Sequence, residues 1–256
     1  MDLDLKHHDG SPIADWRAWS PPKDLKHWRA GKSAVELARA WFTAEAPRIP
    51  PEFASLLSSS PLLAGLRSLK GVPEYVTALP EAGEGRNHDL ILEGETPGGR
   101  VLISVEGKAD EKFGQRIGKY WAQKREERAA PGGTPSRAPE RIEALLTLLA
   151  GPAAFPAEDP WNRIRYQLVT AAAGTLLEAQ TRGASLAVLA IHEFRTSETT
   201  EENLVRNASD LEAFLAALGL LPTPPMQPGR LYGPWQSHGI PIPLLIGKAI
   251  YEWRAA

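Results

Sequence analysis

The chain has no cysteine among its 256 residues. That excludes disulfides, zinc–thiolate sites and thiol catalysis, and fits a reducing compartment. An excess of basic charge is missing too: 29 Lys and Arg stand against 31 Asp and Glu, a formal net charge of -2. Tight non-specific nucleic-acid binding rests on many phosphate contacts, so a broad DNA-coating role is disfavoured, whereas an enzyme needs only a local basic groove. No stretch approaches the ~20 apolar residues of a membrane span. The N-terminus, MDLDLKHHDGSPIADW, lacks the apolar h-region of a signal peptide. We therefore expect a cytoplasmic protein with no membrane partner. The GxxxxGK[ST] phosphate loop, the GxSxG elbow and HExxH are all absent, which argues against an ATP-driven motor, an α/β-hydrolase and a zincin.

What is present suits an ordinary globular core, with 43% hydrophobic and 23% charged residues. Residues 1–30, with Trp16, Trp19 and Trp28, show no period and read as an irregular arm packing its indoles on a single domain over 31–256. Ser33 and Glu36 have the spacing of a capping box ahead of an apolar helix face ending near Phe42. Helices are expected over 52–57 and 62–69, with Gly71 and Pro73 closing this N-terminal helical part. DLILE at 89–93 and RVLISVEGK at 100–108 read as two strands of a hairpin around GETPGG. Further on, an exposed helix over 115–128, a mobile loop over 129–138 and a helix over 140–150 are expected. A long helix over 161–182 with a small-residue middle then leads into a buried strand over 185–194. A helix over 203–218 and strands over 230–235 and 246–253 complete the chain. This order predicts an α/β fold, a mixed central sheet flanked by helices, with extra N-terminal helices.

The second hairpin strand alternates Val101, Ile103 and Val105 with Ser104, Glu106 and Lys108. Folding the hairpin about Pro97–Gly98 sets Asp89 across from Glu106, ~5 Å apart. Two carboxylates so placed repel each other, and a divalent cation between them would remove the repulsion. A hard ion such as Mg²⁺ accepts one or two carboxylates, with water and phosphate oxygens completing its shell, and the Gly107 carbonyl is a further candidate ligand. Lys108, beside that position, is placed to orient or deprotonate an attacking water or to stabilise developing charge.

Asp89 followed by Glu106-Gly107-Lys108 at the ends of two adjacent strands resembles the D…(D/E)xK motif of the PD-(D/E)xK nuclease superfamily. VEGKADEKFG (105–114), RYQL (165–168) and GKSAVELARAWF (31–42) resemble, more narrowly, an uncharacterised bacterial family within it. The resemblance implies a restriction-endonuclease-like αβββαβ core and a Mg²⁺- or Mn²⁺-dependent nuclease acting on DNA or RNA. Asp89 and Glu106 become the metal carboxylates and Lys108 the motif lysine. Gln167 becomes a helix residue facing the site, and Arg165 a phosphate contact. His88 stands where the motif proline would be. The rival expectation is a catalytically inactive nuclease-fold binding or scaffold protein, and a homodimer is left open.

Other residues carry two readings each. His192, near the end of the buried strand, is either a core histidine or a substrate-binding residue lining the cleft. Asp110 and Glu111 read as surface charges ahead of a second metal site. Glu74, Glu81 and Glu84 are candidates for one extra ligand, and Glu178 is a helix-surface glutamate or a cleft residue. The basic run Lys119–Arg128 is a solvated face or a phosphate track. A two-carboxylate glycoside hydrolase does not account for the adjacent lysine.

Overall fold

The computed structural model describes residues 2–19, 28–43, 46–132, 136–221, 223 and 225–253. Its centre is a seven-stranded mixed sheet in the order β1-β4-β5-β6-β7-β9-β8, with helices packed on both faces, so the fold is α/β. The strands are β1 (Leu3–Leu5), β4 (Arg67–Thr77), β5 (Arg86–Thr96), β6 (Gly99–Lys108), β7 (Leu186–Arg195), β8 (Leu231–Trp235) and β9 (Leu244–Glu252). A separate two-stranded pair joins β2 (Phe42–Thr43) to β3 (Ala46–Pro47). β4, β5 and β6 form an antiparallel meander, whereas β6, β7 and β9 run parallel. The β6–β7 crossover is built from α3 (Ile117–Ala129), α4 (Ala138–Ala150) and α5 (Tyr166–Thr181), and α6 (Glu201–Ala217) follows β7. Among the described residues no helix is long and apolar enough to cross a membrane.

Strand alternation sorts the apolar residues into two cores. Leu90, Leu92, Val101, Ile103, Val105 and Val188 pack with α1 (Ser33–Ala40) and α2 (Pro51–Ser58). Ile91, Leu102, Leu189 and Ile191 pack with α3 to α6. Both faces of β6 are therefore covered, and its Ser104, Glu106 and Lys108 are buried along with its aliphatic residues. The expected small-residue middle of α5 does bring that helix close to the sheet. A Cβ placed on Gly174 would lie 3.0 Å from Arg86 Cγ and 3.0 Å from His88 Nε2 on β5.

The hairpin register is as expected, with Thr96 opposite Gly99 and Leu90 opposite Val105. Several other expectations are corrected. The helix expected over 62–69 is a 3-10 turn at Pro61–Leu63 followed by β4, which pairs along β5. Gly71 and Pro73 therefore lie inside a strand. Gly71 is closely surrounded there: a Cβ would meet Leu5 Cδ2 at 2.5 Å, so that side chain would have to move. The long helix expected from 161 breaks into a 3-10 turn at Trp161–Arg163 and α5, with Ile164 and Arg165 extended between them. Part of the arm is ordered pairing: β1 runs parallel to β4. Its indoles do pack, Trp19 being buried and Trp16 lying under the Arg39 guanidinium. Residues 20–27 of the arm, 133–135 of the expected mobile loop, and 222 and 224 between α6 and β8 lie outside the described residues.

The capping box is also corrected. Lys32, not Ser33, occupies the N-cap position of α1 and offers no side-chain cap. Glu36 reaches back to the Gly31 amide at 2.8 Å. The cap comes instead from Glu111, 78 residues away, whose Oε1 accepts from the Ser33 amide at 3.2 Å. At α6 the Thr200 side chain is the cap, and Asp110 holds it, accepting from the Thr200 amide at 2.9 Å, from Thr200 Oγ1 at 2.8 Å and from Asn203 Nδ2 at 2.9 Å. A carboxylate at a helix start satisfies orphan amides and the positive end of the helix dipole. These two acids thus tie the loop leaving β6 to α1 and α6.

Candidate active site

The site forms where β5 and β6 part. Their ladder ends at Leu90–Val105. Beyond it, Asp89 spans the gap by accepting the Gly107 amide proton on Oδ2 at 2.7 Å. Gly107 is a close fit here, since a Cβ would sit 3.3 Å from that oxygen and 3.4 Å from Ser33 Cβ. Glu106 is the hub. Its Oε1 accepts from Lys108 Nζ at 2.7 Å and from Gln167 Nε2 at 2.7 Å, and its Oε2 pairs with Arg86. Asp89, Glu106, Lys108 and Gln167, contributed by β5, β6 and α5, are therefore brought together.

Two further groups belong to this cluster: Arg86, which the sequence reading did not name, and Glu74. Arg86 is three residues before Asp89, and its guanidinium neutralises Glu106. Glu74, one of three glutamates singled out as possible ligands, lies beside Asp89 and accepts from Asn87 Nδ2 at 2.5 Å. Glu74 is held at φ 51°, a left-handed conformation uncommon outside glycine and concentrated at functional positions. It could not be placed from sequence because β4 is not expected there: its first residues fall at the end of the helix expected over 62–69 and the rest in no expected element.

Burial sets the protonation chemistry. The Glu74 carboxyl is pushed up from 4.5 to about 8, first by desolvation and then by the charge of Asp89. Desolvation also raises Asp89, against the pull of Lys108 and Arg86. It lowers the Lys108 ammonium from 10.5 to about 8, with Asp89 and Glu111 opposing. Carboxylates held above and an amine held below their ordinary values, in one cluster, are a recognised mark of functional sites.

A cleft of about 760 Å³ opens over this cluster, with Arg86, Asn87, Asp89, Tyr120, Tyr166 and Gln167 among its lining residues. Glu106 and Lys108 are only 2% and 4% exposed. Glu106 meets the cleft through Arg86 and Gln167, which both line it and both hold its carboxylate.

The sequence matches a family model described as Domain of unknown function (DUF6946) over residues 11–250. The chain belongs to the DUF6946 family. No curated protein and no solved structure matches it.

The expectation that a cation is needed to relieve repulsion between Asp89 and Glu106 is corrected: Arg86 and Lys108 already supply counter-charge to Glu106. Among the described residues no three His, Cys, Asp or Glu side chains converge as a ready-made metal cage. The donor set, Asp89 and Glu106 with Glu74 beside them, still suits a hard ion that keeps most of its own water. Such an ion takes one or two protein carboxylates and completes its shell with water and phosphate.

Other candidates fall away from this DUF6946 site. Arg165, expected to touch phosphate, is turned to α6, donating to Asp210 Oδ2 at 2.7 Å and to the Gly114 carbonyl at 3.0 Å. His192 is a core histidine, not a substrate contact lining the cleft. Its Nδ1 accepts from Trp41 Nε1 at 3.3 Å, so its Nε2 carries the proton that goes to Glu52 at 2.9 Å. Glu178 accepts from Thr77 Oγ1 and Arg182 Nε, and Glu81 pairs with Arg137. Glu111 caps α1, and Asp110 holds the Thr200 cap of α6.

Proposed function

We propose that this protein is a Mg²⁺- or Mn²⁺-dependent nuclease of the PD-(D/E)xK type, hydrolysing phosphodiester bonds of DNA or RNA in the cytoplasm. One observation carries the reading. Asp89, Glu106, Lys108 and Gln167 come from three different elements and meet at the parting of two strands, beneath an open cleft. The order α1, β4, β5, β6, α5, β7 agrees with the αβββαβ core that the motif implies.

Asp89 and Glu106, with the Gly107 carbonyl, would hold the ion. A bound ion supplies a Lewis acid for the phosphoryl oxygens and an acidified water. The chain's own residues do the rest. Lys108, at about 8 rather than 10.5, exchanges a proton near neutral pH and stabilises charge that develops beside Glu106. Gln167 holds Glu106 Oε1 in place with its amide N–H. Arg86, at the cleft floor, is a guanidinium suited to a phosphate oxygen, and a phosphate would compete with Glu106 for it.

The Arg86–Glu106 pair also supports a second reading, a catalytically inactive binding or scaffold protein on the same fold. In that reading the pair stays closed and the site needs no ion. Two measurements separate them. A nuclease should gain thermal stability with Mn²⁺, and Glu106→Ala should abolish the gain. It should also cleave at least one of a panel of single-stranded, duplex and branched nucleic acids, with cleavage lost in Lys108→Ala. Equal cleavage by parent and variant would identify a contaminant and remove the support for hydrolysis.

A further inference from the structure

The walls of the cleft say which form of nucleic acid it accepts. The segment entering α3 and the segment entering α5 are held side by side by an antiparallel bridge between Arg116 and Arg165. The Ile117 amide donates to the Ile164 carbonyl at 2.8 Å, and the Tyr166 amide to the Gln115 carbonyl at 2.9 Å. This sets Tyr120, in the first turn of α3, against Tyr166, at the start of α5. Their ring centroids are 5.0 Å apart, and both rings are half-buried and line the cleft.

Another part of the lining is the loop between β4 and β5, and it is pinned. Arg141 of α4 donates to the carbonyls of Pro80, Glu81 and Glu84, and Arg137 pairs with Glu81. This part of the lining is therefore held in place by hydrogen bonds. The cleft volume of about 760 Å³ is that of a small-molecule pocket, a size that favours unpaired nucleotides over a duplex. Outside it, Arg116, Lys119 and Arg125 are exposed on the approach to α3 and along it. Among the described residues none of the three is ion-paired, whereas Lys124 and Arg128 of the same helix are tied to Glu127 and Glu140.

We propose that the cleft binds single-stranded polynucleotide, stacking a base on the Tyr120–Tyr166 pair while Lys119 and Arg125 follow the phosphates. Aromatic platforms beside a cationic track are the means by which proteins hold unpaired strands without reading sequence. A chain of net charge -2 is suited to this, because a short local track replaces a broad basic surface. The inference deepens the nuclease reading and rests on it for the identity of the ligand.

The test is fluorescence anisotropy of the full chain in EDTA, so that binding is read without cleavage. The probes are labelled single-stranded DNA and RNA of about 20 nucleotides, long enough to cover a typical single-strand site, and the duplex of the same sequence. Either single strand should bind at least tenfold more tightly than the duplex. Tyr120→Ala should weaken it about tenfold, the effect of losing one base stack, and Tyr120→Phe should restore it. Lys119→Ala with Arg125→Ala should lower the salt slope by about 1.4, at ~0.7 for each phosphate contact on a single strand. Duplex binding equal to or tighter than single strand, no binding of any probe, or an unchanged affinity in Tyr120→Ala would overturn the proposal. Cleavage with Mn²⁺ is scored separately. A protein that cuts duplex and single strand alike keeps the nuclease reading and loses this one; a protein that binds single strands but never cuts does the reverse.

Discussion

Replacing Glu74 by Gln removes one ionisable group and keeps an amide oxygen able to accept from Asn87. In the folded protein desolvation, followed by the charge of Asp89, pushes the Glu74 carboxyl from 4.5 up to about 8, against the Asn87 hydrogen bond and Arg86. An acid whose folded value is raised holds its proton more tightly in the folded state than in the unfolded one. Its burden on folding is nil below pH 4.5, grows as the pH rises, and is complete above about 8. At pH 7 the interval from 4.5 to 7 counts almost fully, which at ~1.4 kcal/mol per unit is about 3 kcal/mol. Partial solvent access reduces the expected effect to about 1–3 kcal/mol. Glu74→Gln should therefore match the parent at pH 4.5 and exceed it at pH 7 by about 2–10 °C in Tm for a domain of this size. The assay is calorimetry in metal-free buffer from pH 4.5 to 8. Saturating Mn²⁺ should narrow the gap, because a cation beside Asp89 favours the ionised carboxyl. Melting temperatures that track each other across the range, or a less stable variant at pH 8, would show that Glu74 is ionised in the folded protein and that the reasoning is wrong.

Three further outcomes follow from the same packing and protonation chemistry. Gly174→Val drives a side chain into Arg86 and His88, and should cost about 1–3 kcal/mol in urea unfolding as α5 is pushed off the sheet; an unchanged midpoint would mean that the helix can shift freely. Burial lowers His88, helped by the charges of Arg86 and Arg182, and also lowers His192, against the Glu52 hydrogen bond. Both histidines are thus neutral in the fold. Their contribution is complete above the ordinary value of 6.5 and is lost as the pH falls below it, so His192→Gln should show a shallower acid loss of Tm than the parent. Finally, if Lys108 exchanges the proton in hydrolysis, the rate with Mn²⁺ should climb with pH and level off at or below about 8, and that limb should vanish in Lys108→Met. A profile that is flat from pH 6 to 9 would assign the lysine a purely electrostatic role.

Much of the site was legible because its geometry is local. Asp89, Glu106 and Lys108 sit on one hairpin whose turn residues set the register, and the period of two places Glu106 and Lys108 on one side of β6. Gln167 came from the resemblance, and the structure brings it to Glu106. Arg86 and Glu74 were not legible as partners. Recognising Glu74 required β4, and the apolar spacing of residues 62–69 imitates a helix, whereas its strand character comes from pairing with β5 on one side and β1 on the other. Arg165 and His192 were misplaced for a related reason. Spacing says that a side chain is on an element, but Asp210 and Glu52, which capture these two, are 45 and 140 residues away.

The sequence by itself determined an α/β chain without thiol chemistry, the hairpin with its register, the buried strand β7, and a helix α5 with a small-residue middle able to lie on the sheet. These depend on short-range periodicity, turn chemistry and composition, which are properties of neighbouring residues. Only the tertiary structure decided that Glu106 is neutralised by Arg86 and Lys108, that Asp110 and Glu111 hold the starts of α6 and α1, and that Glu74 stands beside Asp89 as a largely desolvated acid. Those outcomes depend on which charges are removed from water together. The cost of burying each one is met by partners that only the folded chain brings within reach.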